Sequence, residues 1–273
     1  MRALLRVMEA LQQTPVFAAA VRALGGRARV VGGALVIERR LLGVPVRLAS
    51  RWRAGEGSAP AALVNAETAA CGAPLRAMGY RRIVAPVEVA ELCLAPPPDA
   101  LRAAMAQKWR NRLNAGLARA GPAPEGGPFC MERHGWVLAA EAAQRRARGY
   151  RGLPGALVPA LAAAEPGAVH CAAIGRQAAM IFVRHGAVAT YLVGWCGDEG
   201  RAAEAHRRLL WAAMLSLRAQ GVCRLDLGTT NAAAPGLRRF KAGSGARLRR
   251  LGGTWLWLPG CRACGIGSAR SGR

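Results

Sequence analysis

The chain has 273 residues, 52% of them hydrophobic, with 34 glycines and 16 prolines. That is enough apolar material for one large domain or two smaller ones, and it argues against wholesale disorder. The formal net charge of +24 excludes an acidic surface and attracts polyanions, although heavy use of arginine, alanine and glycine accounts for part of it as compositional bias.

Residues 2–12 carry Leu4, Met8 and Leu11 at helical spacing. Thr14 before Pro15 is an N-cap and first-turn signal for a second helix to about Leu24, stopped by Gly25-Gly26. Strands are expected at 28–31, 34–38 and 44–49, with a loop at 53–60. The stretch from there to Pro86 reads as short helix and irregular chain, and 87–94 alternates like a strand. The run PPPDA at 96–100 marks the expected boundary between two halves, 1–96 and 97–259, before a flexible tail at 260–273.

A single long helix is predicted from Asp99, as N-cap, to about Ala120, with Met105, Trp109 and Leu113 on one face. GPAPEGGP (121–128) reads as a linker. Helices follow at 135–148 and 154–164, then strands at 168–174, 178–184 and 187–194. A helix at 201–219 leads to a strand at 222–227, then a glycine-studded turn with Phe240 and Lys241, and a last strand over GTWLWLP. Two strands joined by one helix form a crossover and should be parallel neighbours, with ligands bound beyond their carboxyl ends. Asp226, Thr229, Thr230 and Asn231 crowd that place. The fold class expected is α/β with a mixed sheet.

The start of the chain is interrupted by Glu9, Gln12 and Gln13, so no secretory leader is predicted. Eight scattered cysteines fit buried thiols in a reducing cytoplasm. The single CxxC, Cys261 and Cys264, lacks a second ligand pair, so no metal site is expected. The four histidines are isolated from any nucleophile motif, and no P-loop or dinucleotide fingerprint occurs.

Five stretches together resemble the FemAB-like branch of the GNAT acyltransferase superfamily: QKWRNRLNAGL (107–117), AAQRRARGY (142–150), ATYLVGW (189–195), LLWAAM to GVCRLDLGTTN (209–231) and PGLRRFKAGSGA (235–246). The resemblance implies two GNAT-like units and transfer of an acyl or aminoacyl group to an amine. It implies acyl-CoA or aminoacyl-tRNA as donor, with no permanently bound cofactor, and an amine acceptor such as a small molecule or a peptidoglycan precursor. The family's Phe-Lys pair falls on Phe240 and Lys241, Lys241 facing the reacting carbonyl.

Only two of the 39 basic residues are lysines, Lys108 and Lys241, and both lie in these stretches. A compact ammonium near a tetrahedral oxyanion is what acyl transfer needs. Gly243 and Gly245 would let backbone approach a ligand. Asp226 could orient an amine or take its proton. Arg146 and Tyr150, one helical turn apart, resemble the family's phosphate contacts. Lys108, Tyr191 and Asn231 complete the expected substrate-binding set. The loop GDEGR (197–201) is acidic where a CoA pyrophosphate would need donors. The competing expectation, carried by the charge, is a non-catalytic nucleic-acid-binding protein.

Overall fold

A computed structural model describes residues 9–41, 43–54, 61–119, 121–150, 152–230 and 234–257. Most of the expected 2–12 helix, Asn231, Cys261, Cys264 and the 260–273 tail lie outside them, as does most of the 53–60 loop. The elements run α1 (Pro15–Ala23), β1 (Ala28–Val31), β2 (Ala34–Leu41), β3 (Val44–Trp52), β4 (Leu63–Ala66), α2 (Gly72–Ala77), β5 (Tyr80–Val84) and β6 (Glu88–Cys93). Then come α3 (Pro98–Ala103), α4 (Gln107–Ala118), β7 (Glu125–Pro128), α5 (Met131–Arg148), α6 (Leu157–Ala164), β8 (Val169–Ile174), β9 (Ala178–His185) and β10 (Val188–Cys196). The chain continues through α7 (Asp198–Ala202), α8 (Ala205–Ala219), β11 (Arg224–Thr230), α9 (Pro235–Gly243), β12 (Arg247–Arg250) and β13 (Gly253–Trp257). Two short 3-10 turns, Leu11–Gln13 and Ala69–Cys71, precede α1 and α2. No helix among the described residues is long and apolar enough to cross a membrane.

The chain forms two compact units, and neither is continuous in sequence. The larger joins Met1–Ala28 to Val87–Arg249, and the smaller joins Arg29–Pro86 to Arg250–Arg273. The division therefore does not fall at residue 96. Leu92 and Leu94 are buried in the core of the larger unit, so β6 stays with it.

In the smaller unit six strands lie in the order β1-β2-β3-β4-β13-β5. Strands β3 and β4 are parallel, while β13 runs antiparallel to both β4 and β5. Trp52, Val64, Leu75, Tyr80 and Trp255 make its core. The short helix expected before Pro86 is α2, but the chain around it is not irregular: β4 lies between β3 and β13, and β5 pairs with β13, far away in sequence.

In the larger unit seven strands lie in the order β12-β6-β11-β10-β9-β8-β7. The core is built on Met180 and Phe182 of β9, Leu225 and Leu227 of β11, and Leu209, Leu210, Met214 and Leu217 of α8. Met105, Trp109 and Leu113 join it, as their spacing predicts. The helix carrying them is nevertheless broken. The Ala106 N–H donates to the Gly243 carbonyl (3.0 Å), a tertiary bond that starts α4 afresh. Pro97, not Asp99, stands at the N-cap of α3.

The expected helix at 201–219 is also split, because Glu204 takes a left-handed conformation (φ 56°) between α7 and α8. Its carboxylate pairs with Arg207 and lies 3.8 Å from Arg112. The expected linker at 121–128 contains β7, an edge strand paired with β8 alone.

Candidate functional site

The crossover from β10 through α8 to β11 is parallel, as its sequence predicts. Pairing runs from Val188↔Arg224 to Thr190↔Asp226 and ends there, while β10 continues to Cys196 and β11 to Thr230. The strands part at their carboxyl ends. Beyond the last pair β10 leaves its register with β9 between Tyr191 and Val193, and β11 leaves its register with β6 between Asp226 and Thr229. Residues 191–195 of β10 are all half-buried. The middle of the sheet is thus left unpaired beyond Thr190 and Asp226, at the carboxyl ends of the crossover strands.

Lys241 is on the β11 side of this opening. It sits on α9, not on a turn, and is only 5% exposed. Its Nζ donates to the Thr229 carbonyl (2.9 Å). An ammonium has three N–H donors. Among the described residues no second acceptor is recorded for Lys241. Burial lowers its pKa to about 8, against the opposing pull of the Asp226 carboxylate. Asp226 is 3% exposed, and its Oδ1 accepts the Gly228 N–H (2.7 Å). Gly228 takes φ 77°, which a side chain would strain, and a Cβ there would lie 3.8 Å from Lys241 Nζ. The left-handed turn of the backbone at Gly228 thus leads directly into the Thr229 carbonyl that Lys241 uses.

Phe240 leads to a second cluster. Its ring lies 5.9 Å from Trp109 and 6.2 Å from His206, with the Arg207 guanidinium 5.8 Å above it. Trp109 Nε1 donates to the Phe240 carbonyl (3.0 Å), fixing α9 to α4. The Nε2 of His206 lies 2.9 Å from the Trp195 carbonyl, which can only accept, so Nε2 carries the proton. Burial lowers the His206 pKa from the usual imidazole value, against the bond to the Trp195 carbonyl.

The third group faces the opened part of β10. Burial raises the pKa of the Tyr191 phenol, and the Tyr150 phenol and Glu141 carboxylate are close enough to add to the rise. Tyr150 donates to Glu141 Oε1 (3.1 Å) and accepts from Gln144 Nε2 (3.2 Å).

No family model matches this chain, and no curated protein matches it in sequence. Solved structures do match it. FemX superimposes with a TM-score of 0.73 at 12% identity, over 91% of this chain and 92% of its own. The C-terminal domain (DUF2156) of a putative lysylphosphatidylglycerol synthetase from Agrobacterium fabrum gives 0.62 at 14% identity, over 96% and 92%. L-PGS from Bacillus licheniformis gives 0.53 at 13% identity, over 90% and 92%. The fold is FemX-like. At these identities the likeness is one of fold.

Within this FemX-like fold, the expected site residues separate. Lys241 and Asp226 come together, and Phe240 adjoins them in α9. Tyr191 lies on the opened strand. Lys108 is exposed on α4, in an open hollow with Gln107, Asn111 and Arg112. Arg146 and Tyr150 do not share a helix face. The helix ends at Arg148, Gly149 caps it in the left-handed region, and Tyr150 folds back onto Glu141. Arg146 is exposed.

Gly243 meets protein, not ligand: a Cβ there would be 2.8 Å from Trp109. Thr229, expected at this place, contributes its backbone carbonyl, whereas Glu141, His206 and Gly228 are not among the residues the sequence singles out. Only Gly228 had a signal, a glycine inside a strand pattern.

Proposed function

We propose that the chain is an N-acyltransferase that moves an acyl or aminoacyl group from a thioester or an aminoacyl ester to an amine. Its two compact units would be two GNAT-like halves. The observation that carries this reading is Lys241: a buried ammonium, beside the opened ends of two parallel strands, with one N–H committed to Thr229. The N–H donors that remain are fixed before any substrate arrives, as oxyanion stabilisation requires.

The amine attacks the carbonyl carbon, the carbonyl oxygen takes the negative charge, and Lys241 stabilises it. Collapse expels the thiolate or the ribose alkoxide. Asp226, beside Lys241 and holding the Gly228 N–H, would orient that ammonium and share the proton released by the amine. Phe240 would shape the donor's entry.

Donors of either class fit this chemistry. The acidic loop at 197–201 disfavours a pyrophosphate there, since Asp198 stands fully exposed at the start of α7. That weighs toward an aminoacyl-tRNA donor, and the name lysylphosphatidylglycerol synthetase attached to one structural neighbour is in keeping with an aminoacyl group. The test is a donor screen with acyl-CoAs and charged tRNAs, following acyl loss with amine present. Turnover by the wild type and none by a folded Lys241→Ala variant is expected. Undiminished turnover by that variant removes Lys241 from the mechanism.

A further inference from the structure

In a chain with 39 basic and 15 acidic residues, a second carboxylate withdrawn from solvent near the opened strands, besides Asp226, is unusual. Glu141 occupies that place. It lies midway along α5, which packs on β10, and Trp136 of the same helix meets Trp195 edge-on at 5.7 Å. Its side chain is 13% exposed. One oxygen, Oε1, accepts the Tyr150 phenol. The other, Oε2, lies 3.7 Å from Arg145 Nη2, too far for a hydrogen bond. Arg145 is itself committed, since its Nη1 donates to the Leu153 carbonyl (2.8 Å).

Tyr191 lies on β10, the strand that α5 packs against, near enough for the Glu141 carboxylate to add to the rise that burial causes in the pKa of its phenol. Its oxygen lies against Gly194, where a Cβ would come within 1.9 Å, so the ring is laid along the strand towards the opening. Among the described residues no hydrogen-bond partner is recorded for that phenol. The hydrogen-bonded Glu141 and Tyr150 thus lie with the helix that covers β10, and Tyr191 lies on that strand where its pairing with β11 has ended.

We propose that Glu141, Tyr150 and Tyr191 form a subsite for an ammonium group. The proposal rests on the acyl-transfer reading only in calling this ligand the acceptor. Charge decides between cation and anion. A phosphate would meet the Glu141 carboxylate at close range, with Arg146 exposed and Arg145 held by Leu153. An ammonium meets a carboxylate oxygen and phenol oxygens that can accept its N–H groups. The acceptor is therefore a molecule with a cationic amine, gripped through that group.

The experiment uses the full chain labelled with 13C-tyrosine, which has three tyrosines: Tyr80, Tyr150 and Tyr191. Tyr80 is buried in the smaller unit and serves as the internal control. Cadaverine is titrated as the ammonium probe and inorganic phosphate as the anionic one. Cadaverine should move the Tyr150 and Tyr191 signals saturably and leave Tyr80 still. Glu141→Gln should weaken that binding at least about tenfold, the scale of a lost charged partner. Phosphate should move neither signal.

Movement by phosphate and not by cadaverine overturns the proposal, as does no movement by either, or a folded Glu141→Gln chain that binds cadaverine unchanged. If Glu141→Gln fails to fold, Arg145→Gln carries the test. Removing the competing guanidinium should tighten cadaverine binding, and unchanged or weaker binding refutes the assignment. No donor is needed. A chain that binds cadaverine here yet transfers nothing from any donor defeats the acyl-transfer reading and leaves the subsite standing.

Discussion

Lys241 combines two demands that pull against each other. A buried ammonium gives up hydration, and burial lowers its pKa to about 8 from the usual 10.5 against the pull of Asp226. The shift corresponds to on the order of 3 kcal/mol against folding at neutral pH. An apolar side chain of similar length should therefore stabilise the fold while removing the charge. Lys241→Met is expected to raise folding stability at pH 7 by ~1–3 kcal/mol and abolish transfer. Denaturant unfolding and the donor screen check the two halves.

The sign with pH follows from linkage. Between the folded value near 8 and the unfolded value of 10.5, the unfolded chain holds more protons, so wild-type stability rises with pH. The advantage of Lys241→Met should accordingly shrink across that window and vanish above it. Asp226 works in the other direction by favouring the charged lysine. Asp226→Asn keeps an oxygen for the Gly228 N–H but removes the charge. It should push the Lys241 pKa below about 8 and move the alkaline limb of the rate profile to lower pH. An unmoved limb separates Lys241 from that titration.

At the scale of elements, the opened pair β10 and β11 depends on two irregularities, and Gly194 guards one of them. Its Cβ position is occupied by the Tyr191 phenol at 1.9 Å, while its backbone pairs with Met180 of β9. Gly194→Ala should leave the β9 pairing intact but force the Tyr191 ring aside, at about 1–3 kcal/mol of overpacking. Loss of the Tyr191 signal position with Tyr80 unchanged is the expected reading.

The same elements show what sequence can carry. The parallel crossover was legible because hydrophobic runs and a helix-length spacer obey a handed topology. So was the core face of α4, because Met105, Trp109 and Leu113 follow the helical period. The breaks at Ala106 and Glu204 were not. One comes from a bond to Gly243, 137 residues on, and the other from ion pairs with Arg207 and Arg112. Neither leaves a glycine or proline to mark it. Lys241 and Asp226 were legible by residue type and place. Glu141 was not, because a glutamate on an amphipathic helix looks solvated until β10 is laid against it.

For the whole molecule the open question is what the net charge of +24 does. Compositional bias accounts for arginine in place of lysine but not for the shortage of carboxylates. If the donor is an aminoacyl-tRNA, the surface must hold phosphates while the cleft handles one ester. Phosphate contacts release counterions, so affinity should fall steeply with salt.

Lys108 and Arg112 line the open hollow on α4, about 540 Å³, with Arg110 beside them on the same helix. Arg112 lies 3.8 Å from Glu204, which blunts its charge, and that leaves Lys108 as the stronger contact. Binding of total tRNA should weaken by about 10²-fold or more between 50 and 200 mM salt if several phosphates are engaged. Lys108→Ala should weaken it evenly across tRNA sequences and reduce the salt slope by about one. Transfer from an acyl-CoA, if that is the donor, should be indifferent to the same substitution. A filter-binding series with and without Lys108→Ala, run beside the donor screen, therefore separates a charge that recruits the donor from one that is inherited composition. A flat salt response with active acyl-CoA turnover assigns the charge to composition.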